Sequence, residues 1–205
     1  MLATLRAALL ASKVPAKTQA AVSPAPGVAD YEGVDMAEST APAPGPGSSA
    51  REHSPDRGAI ADWFARAHPS PREAVAEWAN RGVTLLPLGV RFDAVRVPAE
   101  RIHDAVCSEN PKTVATALDD WLCGPVVRDL RASSGDYYVL VAPEAEWHGE
   151  EQRLGKGSFL VVPRIGNLSM ITHWVVPPRR PGNLCSTTRL RALLTLADTM
   201  RTVEP

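Results

Sequence analysis

Hydrophobic positions within residues 58–205 recur at the spacing of amphipathic helices in five stretches. These stretches are AIADWFARAH, SPREAVAEWANRG, PAERIHDAVCS, NPKTVATALDDWLCG and STTRLRALLTLADTM. The stripes expected to face a core are Ile60, Trp63, Phe64 and Ala67 in the first stretch, Val75, Trp78 and Ala79 in the second, and Leu190, Leu193, Leu194 and Ala197 in the last.

Capping residues mark the ends of two of these helices. Ser70 and Glu73 have the spacing of a capping box, and Gly82 follows the last residue of the same helix. Asn110 is the expected N-cap of the fourth helix, and Gly124 is its expected stop. The sequence therefore predicts both the extent and the direction of these helices.

Extended runs rich in β-branched and aromatic residues predict the strands. These runs are VTLLPL, GVRFDAVRVP, GPVVRDL, DYYVLVAP, GSFLVVP and MITHWVVPP. VTLLPL is apolar throughout and predicts a buried strand. GVRFDAVRVP has a mixed pattern, with Phe92 and Ala94 on one side and Asp93, Val95 and Val97 on the other. The last two runs are expected to form a hairpin. Helices come first and strands cluster later, which favours an α+β fold with a mixed or antiparallel sheet flanked by helices.

The first quarter of the chain differs in composition. Residues 15–55 consist largely of Ala, Pro, Gly, Ser and Thr with almost no large apolar side chain, so residues 1–57 are predicted to be a disordered tail before one domain at residues 58–205. Met36 is a candidate start of translation. No apolar run approaches the roughly 18 residues that cross a bilayer, and Arg6 interrupts the apolar N-terminus. We expect a cytoplasmic protein with no membrane partner.

The three cysteines, Cys107, Cys123 and Cys185, form no C-x-x-C pair and have no histidine at metal-ligand spacing. We expect them to be buried, reduced thiols. Neither a disulfide framework nor a zinc site is indicated.

Charge is distributed unevenly although the formal net charge is only −1. Residues 92–152 contain 12 acids and 5 Lys or Arg, a difference of −7, and residues 153–201 contain 8 Lys or Arg and one acid, a difference of +7. One interpretation is a basic face that binds phosphates or an acidic protein. The other is that the acidic and basic halves pair with each other at the surface.

Motifs for nucleophilic, P-loop or zinc chemistry are missing from the sequence. Two-metal catalysis needs paired acids on one face, and no predicted strand carries an Asp-x-Asp or Asp-x-Glu. A residual nucleotidyl-transfer or nucleotide-hydrolysing enzyme would have to use Glu144, Glu146 and Asp136. The sequence favours a protein without catalytic residues, metal or cofactor.

The order of segments over residues 71–195 supplies a further hypothesis. A helix ending in WANRG leads into VTLLPL, and GSFLVVPRIGNLSMITHWVVPP follows as a glycine-led strand, a V-x-P turn and a strand containing an aromatic residue. This order resembles the bifunctional DNA primase/polymerase N-terminal family, in which an A-x-x-Y-A-x-x-G helix precedes a V-F-P-L strand. GVRFDAVRVP, GPVVRD and the closing W-V-V-P-P with its Leu-rich helix also look like short actinobacterial proteins grouped with that family.

The resemblance implies a primase/polymerase-like fold without the family's activity. The strand that should carry the catalytic acids matches DYYVLVAP, where Val141, Ala142 and Pro143 stand at the acidic positions. We therefore expect a non-catalytic domain that binds or regulates a nucleic acid or an acidic protein. The alternative is a protein-interaction or assembly component. The residues expected to bind the anion are Lys156, Arg164, His173, Arg179 and Arg180.

Overall fold

A computed structural model describes residues 55–131, 135–167 and 169–203. Most of the predicted disordered tail lies outside these residues. Helices in the described part are α1 (Pro55–Ala65), α2 (Pro71–Arg81), α3 (Ala99–Val106), α4 (Pro111–Leu122) and α5 (Thr187–Val203). Strands are β1 (Val83–Pro87), β2 (Asp93–Pro98), β3 (Val126–Asp129), β4 (Asp136–Val141), β5 (Arg153–Leu154), β6 (Phe159–Pro163) and β7 (Thr172–Val176).

The strands form two antiparallel sheets, which confirms the predicted α+β class. Five strands pair in the order β5-β2-β4-β3-β7, and β1 pairs with β6 in a separate two-stranded sheet. Among the described residues, no helix is long and apolar enough to cross a membrane.

The predicted hairpin between the last two apolar runs is wrong. β6 pairs with β1 instead, with Val83 opposite Pro163 and Pro87 opposite Phe159, while β7 pairs with β3. The two strands are linked by a side chain, because the indole Nε1 of Trp174 donates to the carbonyl of Pro163 at 2.9 Å. β6 pairs with β1 because the two strands share an apolar core. Leu160 and Val162 of β6 are buried in the same core as Leu86 of β1.

The five-stranded sheet is covered on both faces, which explains the mixed pattern of β2. Ala94 packs into a core with α1, α2 and the two-stranded sheet. Val95 and Val97 pack into a second core with α3, α4 and α5. Because all three side chains are fully buried, the alternation in β2 separates two cores rather than a core from solvent.

Helix α2 corrects two expectations. Its predicted capping box does not form. In a capping box the Glu73 side chain would accept the backbone N–H of Ser70, but this N–H donates to Nδ1 of His68 at 3.0 Å instead. Gly82 ends the helix as predicted, with φ of 72°. The buried stripe is Ala74 and Trp78, whereas Val75 and Ala79 are exposed. The indole Nε1 of Trp78 sets this rotation, since it donates to the Val162 carbonyl at 2.9 Å.

Two further local predictions are wrong in part. Strand β1 is buried on one face only, since Leu85 is 48% exposed on the outer side of the two-stranded sheet. Helix α4 stops at Cys123, which has a left-handed φ of 52°, and not at Gly124. Gly124 is needed for close packing instead, because a Cβ there would lie 2.7 Å from the backbone N of Cys185.

The cysteines are free thiols, as expected, but only one is buried. Cys107 and Cys123 are exposed because each ends a helix in a left-handed conformation that turns the chain outward. Cys185 is buried, and burial raises the pKa of its thiol.

Candidate nucleic-acid interface

An open groove with a volume of about 600 Å³ lies where four segments of the chain meet. The segments are α1, the turn between β1 and β2, the loop after β4 and the residues before α5. Side chains along the groove belong to Trp63, Arg66, Val90, Arg91, Ala142, Pro143, Glu144 and Leu184. The groove is shallow and open to solvent, so a ligand would lie along it rather than inside it.

An aromatic cluster holds the indole of Trp63 in the groove. The ring of Trp63 packs edge-to-face on Phe64 with centroids 4.9 Å apart, and its centroid lies 6.4 Å from that of Phe92. Phe64 and Phe92 are buried, whereas Trp63 is only half-buried. The fixed indole therefore offers aromatic surface to a ligand without losing side-chain freedom when it binds.

Two arginines place positive charge beside this indole. The guanidinium carbon of Arg91 lies 5.8 Å from the Trp63 ring centroid, and Arg66 lies in the turn directly after α1, three residues beyond Trp63. Within the described residues, neither guanidinium has a carboxylate at ion-pair distance. Among the described residues that line the groove, Glu144 is the one acid, so the described lining carries a positive net charge.

The loop after β4 forms the opposite wall, and Arg153 fixes it. The guanidinium of Arg153 donates to the carboxylate of Asp93 at 2.7 Å and to the carbonyls of Pro143 and Ala145. Asp93 is 4% exposed. A buried ion pair with this many bonds holds the wall at a defined distance from Trp63.

Two of the predicted anion-binding residues lie on segments that border the groove. Lys156 is exposed, and its backbone packs against Gly89 in the turn that carries Arg91. Arg180 is also exposed and accepts a backbone hydrogen bond from Asn183. The turn formed by Arg180 and Asn183 passes beside the indole of Trp63, since a Cβ at Gly182 would lie 3.7 Å from the indole Nε1.

Arg164 and Arg179 lie away from the groove. Arg164 follows β6, where its backbone N–H donates to the Gly82 carbonyl at 2.8 Å. β6 spans five extended residues, or about 16 Å, and it separates Arg164 at one end from the turn that carries Lys156 at the other. Arg179 pairs with Asp119 of α4 at 2.6 Å. The structure thus does not bring the predicted set together at one point.

His173 lies on β7, directly opposite Arg128 of β3. Burial lowers the pKa of His173, and the charge of Arg128 lowers it further. The pKa of His103 on α3 is lowered by burial first and by Arg128 second. Acids that oppose this shift at His103 are Glu109, Asp104 and Glu100. Both imidazoles are therefore favoured in the neutral form by the fold.

Acid is expected to destabilise the protein through these two histidines. The pKa of histidine in an unfolded chain is about 6.5, and the folded pKa values of His103 and His173 lie below it. As the pH falls through this region, the unfolded state therefore binds more protons than the folded state. The free energy of unfolding must then decrease. Urea unfolding at about pH 7.5 and about pH 5.5 measures the loss. The double variant His103→Gln and His173→Gln should lose less than the wild type, and an equal loss would contradict the assignment.

Several ion pairs join the acidic and basic halves of the chain. Arg153 pairs with Asp93 and Arg179 pairs with Asp119, as the pairing interpretation of the charge distribution expects. Lys156, Arg164 and Arg180 remain exposed. Part of the basic excess is thus neutralised within the fold, and the rest is open to a partner.

The acids proposed for a residual enzyme are spread over the molecule. Asp136 begins β4 and pairs with Arg96 at 2.6 Å, while Glu144 lies beyond the other end of that strand. Glu146 is exposed in the following loop and contacts His148 at 3.4 Å. No group of three His, Cys, Asp or Glu side chains suited to a metal occurs in the described part of the chain.

Sequence reasoning missed the central residues of the groove. The helical spacing predicts that Trp63 faces the core, but the side chain is only half-buried. Arg66 and Arg91 precede the acidic and basic segments and lie on different elements, so no count along the chain brings them together. An arginine three positions after a tryptophan near the end of a predicted helix was the available signal.

The fold and the groove define an α+β protein with an open, aromatic and cationic surface. No family model, curated protein or solved structure matches the chain. The chemistry of the groove therefore carries the functional argument.

Proposed function

We propose that the chain is a non-catalytic primase/polymerase-like domain that binds nucleic acid, preferentially single-stranded, in the groove beside Trp63. The observation that carries this proposal is the guanidinium of Arg91, 5.8 Å from the Trp63 ring, with Arg66 in the same groove. A half-buried indole beside two guanidiniums that have no carboxylate partner among the described residues suits a base with its phosphates. The resemblance in segment order supports nucleic acid as the partner.

The expected energetics follow from these residue types. Stacking of a base on an aromatic side chain contributes about 1–3 kcal/mol and tolerates any base sequence. Each phosphate that an arginine neutralises in a single strand adds about 0.7 to the slope of log affinity against log salt. Arg66 and Arg91 together should account for a slope of about 1.4.

Binding without catalysis is supported by two apolar residues on the wall of the groove. Ala142 and Pro143 line it at positions where the resemblance implies catalytic acids. A two-metal reaction requires carboxylates that bridge the ions. Glu144 alone, on the exposed loop, does not supply such a pair.

Removing both groove arginines is expected to weaken binding of a labelled single-stranded oligonucleotide at least tenfold at physiological salt. The double variant Arg66→Gln and Arg91→Gln should also reduce the salt slope by about 1.4. Fluorescence anisotropy with the full chain, at several salt concentrations and with single- and double-stranded probes, measures both quantities.

A matched control removes two exposed arginines that lie outside the groove, Arg72 on α2 and Arg191 on α5. It lowers the net charge equally and should leave affinity almost unchanged. Equal losses in the two double variants would show that only overall charge matters and would overturn the groove assignment. No binding by the wild type even at low salt would overturn nucleic-acid binding and favour an acidic protein partner.

A further inference from the structure

Arg128 on β3 is half-buried and, like Arg91 in the groove, has no ionic partner among the described residues. Arg128 has no carboxylate at ion-pair distance within the described residues, and its Nε is buried without a hydrogen-bond acceptor. Its guanidinium carbon lies 5.0 Å from the ring centroid of Tyr137. Arginines that do have a carboxylate partner are Arg96, Arg101, Arg131, Arg153 and Arg179. A partly desolvated cation without an anion is costly, so such a group is usually compensated.

Three further polar side chains surround this guanidinium. Tyr137 is 1% exposed, and its hydroxyl lies 3.2 Å from Nε2 of His103. His173 lies opposite Arg128 in the ladder between β3 and β7. His103, His173 and Arg128 are all half-buried, so each side chain keeps part of its surface in contact with solvent.

The nearest strand-end acids do not neutralise Arg128. The carboxylate of Asp129 is bonded by Arg131 at 2.6 Å, and that of Asp136 is bonded by Arg96 at 2.6 Å. The backbone of Gly135 packs close to the guanidinium, since a Cβ there would be 3.2 Å from Nε of Arg128. Because that Nε is buried, an anion is expected to bond the terminal guanidinium nitrogens.

We propose that Arg128, His103, His173 and Tyr137 form a binding site for a small tetrahedral oxyanion of the phosphate type. Arg128 supplies the charge, the imidazoles supply N–H donors, and the Tyr137 ring supports the guanidinium. The shared chemistry is a phosphate group, either free or at the end of a larger ligand. This site does not depend on the groove, which is built from other residues around Trp63.

Inorganic phosphate is the first probe, compared with chloride at equal ionic strength. Thermal unfolding of the full chain should shift upward with phosphate and saturate, by about 5 to 10 °C at one hundred times the dissociation constant. Arg128→Gln should abolish the shift, whereas the surface variant Arg191→Gln should retain it. The ¹H–¹⁵N signals of the His103 and His173 rings should move with the same saturation curve.

A second comparison separates an anion site from a purely structural arginine. In phosphate-free buffer, Arg128→Gln is expected to melt at the same temperature as the wild type or higher, because the substitution removes an uncompensated cation. A lower melting temperature together with an unchanged phosphate response would mean that Arg128 only packs on Tyr137 and would overturn the proposal. Absence of a saturable response in the wild type would overturn it as well.

The source of the phosphate is resolved by competition. A 5′-phosphorylated oligonucleotide that displaces inorganic phosphate better than its 5′-hydroxyl counterpart identifies a terminal phosphate as the ligand. Equal displacement by both oligonucleotides identifies backbone phosphates as the ligand, and displacement by neither identifies the free oxyanion. The Arg66→Gln and Arg91→Gln variant should keep its response to inorganic phosphate, so failure at the groove and failure at this site remain distinguishable.

Discussion

Replacing Arg153 with methionine is expected to lower the free energy of unfolding by about 3–5 kcal/mol. The substitution leaves the carboxylate of Asp93, which is 4% exposed, without its cation at 2.7 Å. It also leaves the carbonyls of Pro143 and Ala145 without the donor that bonds them. Urea unfolding followed by circular dichroism measures the loss.

Arg179→Met is the matched control, because the Arg179 side chain is 63% exposed and that of its partner Asp119 is 35% exposed. This variant should lower the free energy of unfolding far less than Arg153→Met, because exposed ion pairs contribute little to stability. The double variant Arg153→Met and Asp93→Leu should recover part of the stability, since no buried charge is left unpaired. Similar losses for Arg153→Met and Arg179→Met would contradict a buried role for the Arg153 pair.

The Arg153 pair also connects stability with binding. Because Arg153 holds the wall formed by Pro143, its loss should widen the groove opposite Trp63. Arg153→Met should therefore weaken oligonucleotide binding at temperatures where the variant is still folded.

Trp78→Ala is expected to lower the free energy of unfolding by about 3–5 kcal/mol, the usual cost of truncating a buried aromatic side chain. Trp78 is 6% exposed, and its Nε1 donates to the Val162 carbonyl at 2.9 Å. The residue thereby connects α2 to β6, the strand whose pairing the sequence did not predict. Denaturant unfolding again measures the effect.

A graded series tests this assignment. Trp78→Phe keeps most of the apolar contact and loses the hydrogen bond, so it should cost about 1–2 kcal/mol. Val75→Ala, at a position 44% exposed on the same helix, should change stability by no more than about 0.5 kcal/mol. If Val75→Ala were as costly as Trp78→Ala, the rotation of α2 described above would be wrong.

Local elements could be predicted from sequence because their signals are local. The stripe of α5 is buried as its 3.6-residue period requires, with Leu190 and Ala197 both fully buried. Asn110 caps α4, since its side chain accepts N–H donors from Lys112 and Thr113. The fold class followed from the order of such elements along the chain.

Non-local pairing could not be predicted in the same way. β6 and β7 are neighbours in sequence, yet each pairs with an earlier strand, because the apolar core under β1 needs Leu160 and Val162. The candidate groove depends on the same kind of contact, since Trp63 and Arg91 come from elements that meet only in the folded chain. The periodicity of hydrophobic residues and the counts of charged residues along the chain contain no information about contacts between distant segments.

Burial of β2 on both faces limits the ways in which the folded chain can open locally. Ala94 belongs to one core and Val95 to the other, and β4 pairs with β2 along its whole length. Neither core can therefore be exposed completely without breaking the strand pair that both of them share. Amide protons in β2 and β4 should exchange only by global unfolding, whereas those of the β1–β6 pair can exchange through smaller openings.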